Sequence, residues 1–130
     1  MYQDDVELFM KQGLQDYPVV SCLDVPTITD DVDPQIGLYM DLITEEYHEL
    51  KEAYKDQDVV EVADALADMV WVIMGMASTL GMDFNDIWEE VKRSNMSKFT
   101  NNIIIRDGKT GKILKPSTFS EPNLAPILGL

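Results

Sequence analysis

The sequence has almost none of the residues that build disulfides, thiolate metal sites and histidine-based active sites. Cys22 is the only cysteine and His48 the only histidine. An intrachain disulfide and a cysteine-rich zinc site are therefore excluded, and a reducing cytoplasm is the expected compartment. Glu45 and His48 have the Glu-x-x-His spacing of di-iron bundles, but such a centre needs two of these motifs. The sequence contains no Gly-x-x-x-x-Gly-Lys loop, which argues against a P-loop nucleotidase.

Basic residues and long apolar runs are also scarce. Ten Lys and Arg against 24 Asp and Glu give a formal net charge of −14. A surface this acidic repels nucleic acid and anionic membranes, so neither is expected as a partner. A polyphosphate can still bind if divalent cations stand between it and the protein. The longest apolar stretch, residues 69–77, is too short for a membrane span, and the first thirty residues have no leader pattern, so we expect an unprocessed, soluble protein.

Apolar residues at helical spacing are abundant. The chain has 130 residues and is 45% hydrophobic, which predicts one folded domain over residues 1–130. Steps of three and four predict helices at about 5–13, 35–55, 58–80 and 84–95, with an irregular connection at 14–34. The short break after residue 55 predicts an antiparallel hairpin of the second and third helices. The expected fold class is therefore all-α, a four-helix bundle.

The last thirty residues follow a different pattern. Two short β-prone segments, residues 103–105 and 112–114, flank a turn-rich sequence at 107–111. This arrangement predicts a short C-terminal hairpin or hooked arm within residues 100–130, followed by a tail with prolines. Three of the ten basic residues, Lys109, Lys112 and Lys115, lie on this arm. They could close over a triphosphate, or they could belong to a solvated hairpin.

The third predicted helix carries acidic residues that its apolar surroundings do not explain. Between residues 62 and 80 it is apolar on nearly every side, which predicts burial in the protein or at a subunit interface. Glu61, Asp64 and Asp68 share one face, and no Lys or Arg occurs between residues 55 and 92 to pair with them locally. Because unpaired buried carboxylates are costly, we expect a cation from outside this helix.

The second predicted helix provides a matching pair of acids. Glu46 and Glu49 lie three residues apart and, in an antiparallel hairpin, near the level of Glu61 and Asp64. A cluster of hard oxygen ligands suits Mg²⁺ or Mn²⁺. Two purely local roles stay open for these acids, because Glu61 could complete a capping box with Asp58 and the acids of the second helix could form a solvated face.

These acidic motifs resemble a known family. The chain has Glu-Glu-Tyr-His-Glu at residues 45–49 and Glu-Val-Ala-Asp at residues 61–64, which resembles the Glu-Glu-x-x-Glu and Glu-x-x-Asp signature of MazG-like nucleotide pyrophosphohydrolases. Residues 63–68, Gly75, Gly81 and the Ser-Asn-Met-Ser-Lys segment at 94–98 are similar to the small phosphoribosyl-ATP-pyrophosphohydrolase-like branch. The resemblance extends over residues 6–120.

The resemblance implies an all-α homodimer or homotetramer that hydrolyses a nucleoside triphosphate between its α and β phosphates. Glu46, Glu49, Glu61 and Asp64 would hold Mg²⁺, which Mn²⁺ could replace, and Glu46 or Glu49 would act as the catalytic base. Glu45 and Asp68 would be auxiliary acids. The residues implied for phosphate binding are Arg93, Asn95 and Lys98, to which the arm adds Lys109 and Lys112.

The substrate and one further class of function stay open. We expect a purine nucleotide such as dGTP or GTP, by analogy with small phage enzymes that reshape the dNTP pool in the host cytoplasm. The alternatives are dUTP, dCTP and phosphoribosyl-ATP. A non-catalytic acidic module that assembles through the methionine-rich third helix is the other class. Phe9, Tyr39 and Trp71 could stack on a base, although aromatics at such spacing more often pack in a core or an interface.

Overall fold

The structure, a computed structural model, describes residues 1–20 and 28–130, apart from the side chains of residues 100 and 101. The predicted all-α class and its four helices are confirmed, and no strand occurs in the described part of the chain. The middle of the predicted connection at 14–34, with Cys22 and Pro26, lies outside the described residues. The helices are α1 (Tyr2–Gln12), α2 (Pro34–Lys55), α3 (Val59–Thr79) and α4 (Phe84–Met96), and a 3₁₀ helix (Ser97–Asn102) follows α4.

The chain divides into two compact units, residues 1–84 and residues 85–130. The first unit contains α1, α2 and α3, and the second contains nearly all of α4, the 3₁₀ helix, the arm and the tail. A single domain over residues 1–130 stays a prediction. Among the described helices, none is both long and apolar enough to cross a membrane.

The second and third helices form the predicted antiparallel hairpin. Asp33 caps α2 by accepting a hydrogen bond from the backbone N–H of Gln35 at 2.8 Å, and Pro34 occupies the first helical position. Only three residues separate α2 from α3. Tyr39, near the start of α2, packs against Gly75, near the end of α3, so the two helices run in opposite directions.

Three helices end in the same hydrogen-bonded turn, in which one residue takes a left-handed conformation. At the end of α3 this residue is Gly81, with φ +72°, which confirms the predicted stop. At the end of α2 it is Gln57, with φ 57°. Gly13 follows α1 as predicted, but its φ is −82° and the left-handed residue is Leu14, with φ 59°. The turn therefore tolerates side chains here at some conformational cost.

The core of the first unit lies where α1 and α2 pack against the second half of α3. Its buried members are Val6, Met10, Tyr39, Val72 and Met74. A Cβ atom at Gly75 would overlap the Tyr39 ring, so glycine is what allows the ring to lie on α3. The close approach of these two residues sets the register of the hairpin.

The first half of α3 is not buried within the chain. Val59, Val60 and Leu66 expose 76%, 71% and 50% of their surface. The prediction that the helix is buried in the protein on nearly every side is therefore wrong for this half, because only one side of it lies against another helix of the unit. Burial of this half at a subunit interface stays a prediction.

In the second unit, the arm forms a tight turn and not a two-stranded ribbon. A single antiparallel bridge joins Arg106 and Ile113. The Asp107 carboxylate closes the turn by accepting hydrogen bonds from the backbone N–H groups of Lys109 and Thr110, both at 2.9 Å. These bonds also lower the pKa of Asp107. Side-chain caps hold this arm where the sequence predicts strand pairing.

Candidate metal centre

Three carboxylates meet between α2 and α3. Glu46 and Glu49 lie on α2, one helical turn apart, and Asp68 lies on the facing side of α3. Each offers an oxygen that lies within 4.8 Å of an oxygen from each of the other two. The hairpin packing brings these like charges together, and we call the three residues the carboxylate cluster.

Glu46 is the member with the least satisfied environment. Its Oε2 atom is buried and has no hydrogen-bond partner among the described residues. Burial raises the pKa of Glu46 to about 7, and the hydrogen bond and charge of Glu49, together with the charges of Asp68 and Asp64, act in the same direction. A buried acceptor that lacks a donor is uncommon in folded proteins, and a cation would satisfy it.

Asp68 is strained in the same way. Burial raises the pKa of its carboxyl group, the charges of Asp64 and Glu49 add to this, and a hydrogen bond with Asp64 contributes last. Asp64 itself is exposed. It therefore adjoins the carboxylate cluster through Asp68.

The donor set fits a hard divalent cation. All three side chains of the carboxylate cluster offer oxygen, and neither a sulfur nor an imidazole nitrogen belongs to it. Mg²⁺, Mn²⁺ and Ca²⁺ prefer such ligands, and a buried unsatisfied carboxylate oxygen is the group that a cation neutralises. The arrangement is consistent with binding of a divalent metal ion.

Glu61 and Glu45 lie outside the carboxylate cluster. Glu61 is exposed, and its backbone N–H donates to the Asp58 side chain at 3.1 Å, so Asp58 caps α3 as predicted. Together with Glu49 these two acids line a separate cavity of about 430 Å³. Glu45 is exposed on α2 beside Glu46. Metal binding by Glu61 and an auxiliary role of Glu45 stay predictions.

The five residues predicted to bind phosphate all belong to the second unit. Arg93 forms a two-pronged ion pair with Glu90, with a shortest distance of 2.8 Å, and also donates to the carbonyl of Glu121 at 3.0 Å. The Lys98 ammonium lies 5.9 Å from the centre of the Phe119 ring. Phosphate binding by these residues stays a prediction, as it does for the exposed Lys109 and Lys112 and for Asn95.

The sequence analysis ranked Asp68 below Glu61, and the helix register explains why the structure groups residues differently. The position numbers of Tyr39 and Gly75 add up to 114, and so do those of Glu46 and Asp68. A pattern of spacings within each helix does not contain this register. A signal was nevertheless present, because Gly75 is the one position in the second half of α3 without a side chain.

The comparisons with known proteins agree with this geometry. The family model described as phosphoribosyl-ATP pyrophosphohydrolase matches residues 26–95, more than half of the chain, and this range contains all three members of the carboxylate cluster. The uncharacterized protein L479 of Acanthamoeba polyphaga mimivirus is 33% identical over 75 residues, a match that covers 55% of this chain and 30% of that protein. The chain belongs to the phosphoribosyl-ATP pyrophosphohydrolase family, within the MazG-like all-α superfamily of nucleoside triphosphate pyrophosphatases.

Proposed function

We propose that the protein hydrolyses a nucleoside triphosphate between its α and β phosphates, in a reaction that depends on a divalent metal ion and yields a monophosphate and pyrophosphate. The carboxylate cluster, with the buried unpaired oxygen of Glu46, carries this proposal. Family membership supports it, since the family's name describes a nucleotide pyrophosphohydrolase. It also explains how a protein of net charge −14 could bind a polyphosphate.

Glu46, Glu49 and Asp68, with Asp64 beside them, are the residues that would hold Mg²⁺ or Mn²⁺. When bound, the ion neutralises charge on phosphate oxygens and lowers the pKa of a water molecule. Glu49 is the exposed member of the cluster and is the carboxylate best placed to take a proton from the attacking water. As the water oxygen bonds to phosphorus, the bridging P–O bond breaks and pyrophosphate or the monophosphate leaves.

A purine nucleotide such as dGTP or GTP is our first candidate substrate. The family name adds weight to phosphoribosyl-ATP, and dUTP and dCTP complete the set. Arg93, Asn95, Lys98, Lys109 and Lys112 would balance the remaining phosphate charge, and a homodimer or homotetramer would be the working form. A purely structural assembly module is the second candidate function, favoured by the exposed apolar residues on the first half of α3.

Phosphorus NMR tests the proposal directly. The purified protein is incubated with each common NTP and dNTP and with phosphoribosyl-ATP, in the presence of Mg²⁺ and then Mn²⁺. We expect a monophosphate and pyrophosphate from at least one substrate. Release of orthophosphate as the primary product would contradict α–β cleavage, and the absence of turnover with every substrate would favour the assembly module.

A matched pair of variants on α2 ties the activity to the carboxylate cluster. Glu49→Gln should abolish turnover while the helical circular dichroism stays unchanged. Glu52→Gln makes the same change one turn further along α2, outside the cluster, and should retain activity. Wild-type turnover by Glu49→Gln would rule out its catalytic role.

A further inference from the structure

A second cavity, of about 300 Å³, adjoins the carboxylate cluster within the first unit. Glu46 and Asp68 belong to both, so a ligand whose anionic end is held at the cluster would extend into this cavity. Its volume is at the small end of the range of about 300–1,000 Å³ for ligand pockets. This size suits one ring system and not a whole nucleotide.

The cavity wall carries aromatic rings that the hydrophobic core does not use. The rings of Phe9 on α1 and Trp71 on α3 meet edge to face, with centroids 5.5 Å apart and an interplanar angle of 81°. Phe9 is 54% exposed and Trp71 is 38% exposed, whereas the Tyr39 ring beneath them is buried. Exposed, mutually braced aromatic rings favour a planar apolar ligand that can stack on them.

One polar side chain in this wall is held in place by two hydrogen bonds. The backbone N–H of Gln15 donates to the carbonyl of Met10 at 2.8 Å in the turn that ends α1. The buried Tyr39 hydroxyl donates to Oε1 of Gln15 at 2.6 Å. This bond orients the carboxamide, whose N–H groups are the donors that Gln15 can offer to a ligand.

We propose that this cavity binds the heteroaromatic base of the nucleotide and that Gln15 is the residue that discriminates between bases. The inference rests on the proposed function for the position of the phosphates. A carboxamide can pair with the hydrogen-bonding edge of a base, and a site built around such a pair rejects bases whose edge does not match. Phe9 and Trp71 supply stacking that every base can use, so selectivity falls to Gln15.

Binding of nucleosides tests the cavity independently of catalysis. Saturation-transfer NMR with the four nucleosides and their deoxy forms, in EDTA, measures the order of affinities without phosphate or metal. Gln15→Leu should weaken binding of the preferred nucleoside by about tenfold or more and flatten the order. Gln12→Leu makes the same change at an exposed position three residues earlier and should behave like the wild type. An unchanged order in Gln15→Leu, or no nucleoside binding by the wild-type protein, overturns the inference.

A second variant separates base discrimination from loss of structure. Gln15→Glu keeps an oxygen for the Tyr39 hydroxyl but replaces the amide donor with an acceptor. It should change which base is preferred in kcat/KM, and Gln12→Glu should not. If the wild-type protein cleaves no nucleotide but Gln15→Leu still loses nucleoside binding, the proposed function fails and this inference stands. If cleavage occurs and Gln15→Glu keeps the wild-type ranking of bases, the inference fails alone.

Discussion

The carboxylate oxygens of the cluster show how single residues can be unsatisfied in a folded protein. Glu46 and Asp68 both have raised pKa values, because burial and neighbouring negative charges oppose their ionisation. Such an arrangement costs free energy in the metal-free protein. Groups of this kind concentrate at functional sites, where they are retained for the ligand that they bind.

Asp68→Asn tests the cluster against the ranking made from sequence. We expect kcat/KM to fall by about 100-fold or more, as is typical when a group that stabilises developing charge is removed. The free energy of unfolding without metal should not fall, because the change removes a charge that Asp64 and Glu49 repel. Pyrophosphate release and urea unfolding measure the two effects.

The matched control for this variant is Asp41→Asn, at an exposed position of α2, which should retain wild-type activity. Glu61→Gln should cost less than Asp68→Asn, since Glu61 is exposed and lies outside the cluster. A larger loss for Glu61→Gln would restore the ligand set predicted from the sequence motif.

Glu90 gives the second unit a defined response to acid. Its pKa is lowered to about 2, first by the hydrogen bond from Arg93 and next by the backbone N–H of Asn123, against an ordinary value of 4.5. Its stabilising effect is therefore fully present above pH 4.5 and disappears as the pH falls towards 2. The wild type should unfold at higher urea than Glu90→Gln at pH 6, and this difference should shrink by pH 2.5.

The neighbouring Glu89 serves as the control for Glu90. It pairs with Lys92 at 2.7 Å, but both side chains are more than half exposed. Glu89→Gln should change the free energy of unfolding by less than about 1 kcal/mol. A difference between wild type and Glu90→Gln that stays constant from pH 6 to pH 2.5 would contradict the assigned role of Glu90.

At the scale of elements, the α2–α3 hairpin positions the cluster, and the contact of Tyr39 with Gly75 sets its register. Gly75→Ala should destabilise the protein by about 1–3 kcal/mol, because the new methyl group overlaps the Tyr39 ring in a packed core. Activity should fall as well, since a shift of α3 separates Asp68 from Glu46. Thermal unfolding and pyrophosphate release measure both effects.

Gly108 offers the matching substitution without the contact. A Cβ atom there meets nothing within 4 Å, so Gly108→Ala should change the free energy of unfolding by less than about 0.5 kcal/mol. Helix propensity alone would make Gly75→Ala about 1 kcal/mol more stable. Observation of that gain would show that the ring and the helix do not approach each other this closely.

At the scale of the molecule, the net charge of −14 opposes folding through repulsion that salt screens. In EDTA, the melting temperature should rise with NaCl. MgCl₂ at equal ionic strength should raise it further, because an ion that binds only the folded state at 100 times its Kd adds about 2.7 kcal/mol. Glu46→Gln should lose most of this extra gain. Equal stabilisation of the wild type by the two salts would contradict a specific site.

The sequence by itself determined the secondary structure and the family. Helical periodicity, capping by Asp33 and Asp58 and the stop at Gly81 are local properties, so the four helices could be read from the order of residues. The acidic motifs at residues 45–49 and 61–64 identified the family for the same reason, since each lies within one helix.

Tertiary structure alone decided which acids meet and what surrounds them. The packing of Tyr39 on Gly75 places Asp68 opposite Glu46, and the exposed first half of α3 leaves Glu61 and Asp64 in solvent. The same packing directs the Tyr39 hydroxyl to Gln15, a residue that no spacing rule singles out. These outcomes depend on the register and contacts between helices, and the periodicity of a single helix carries no information about either.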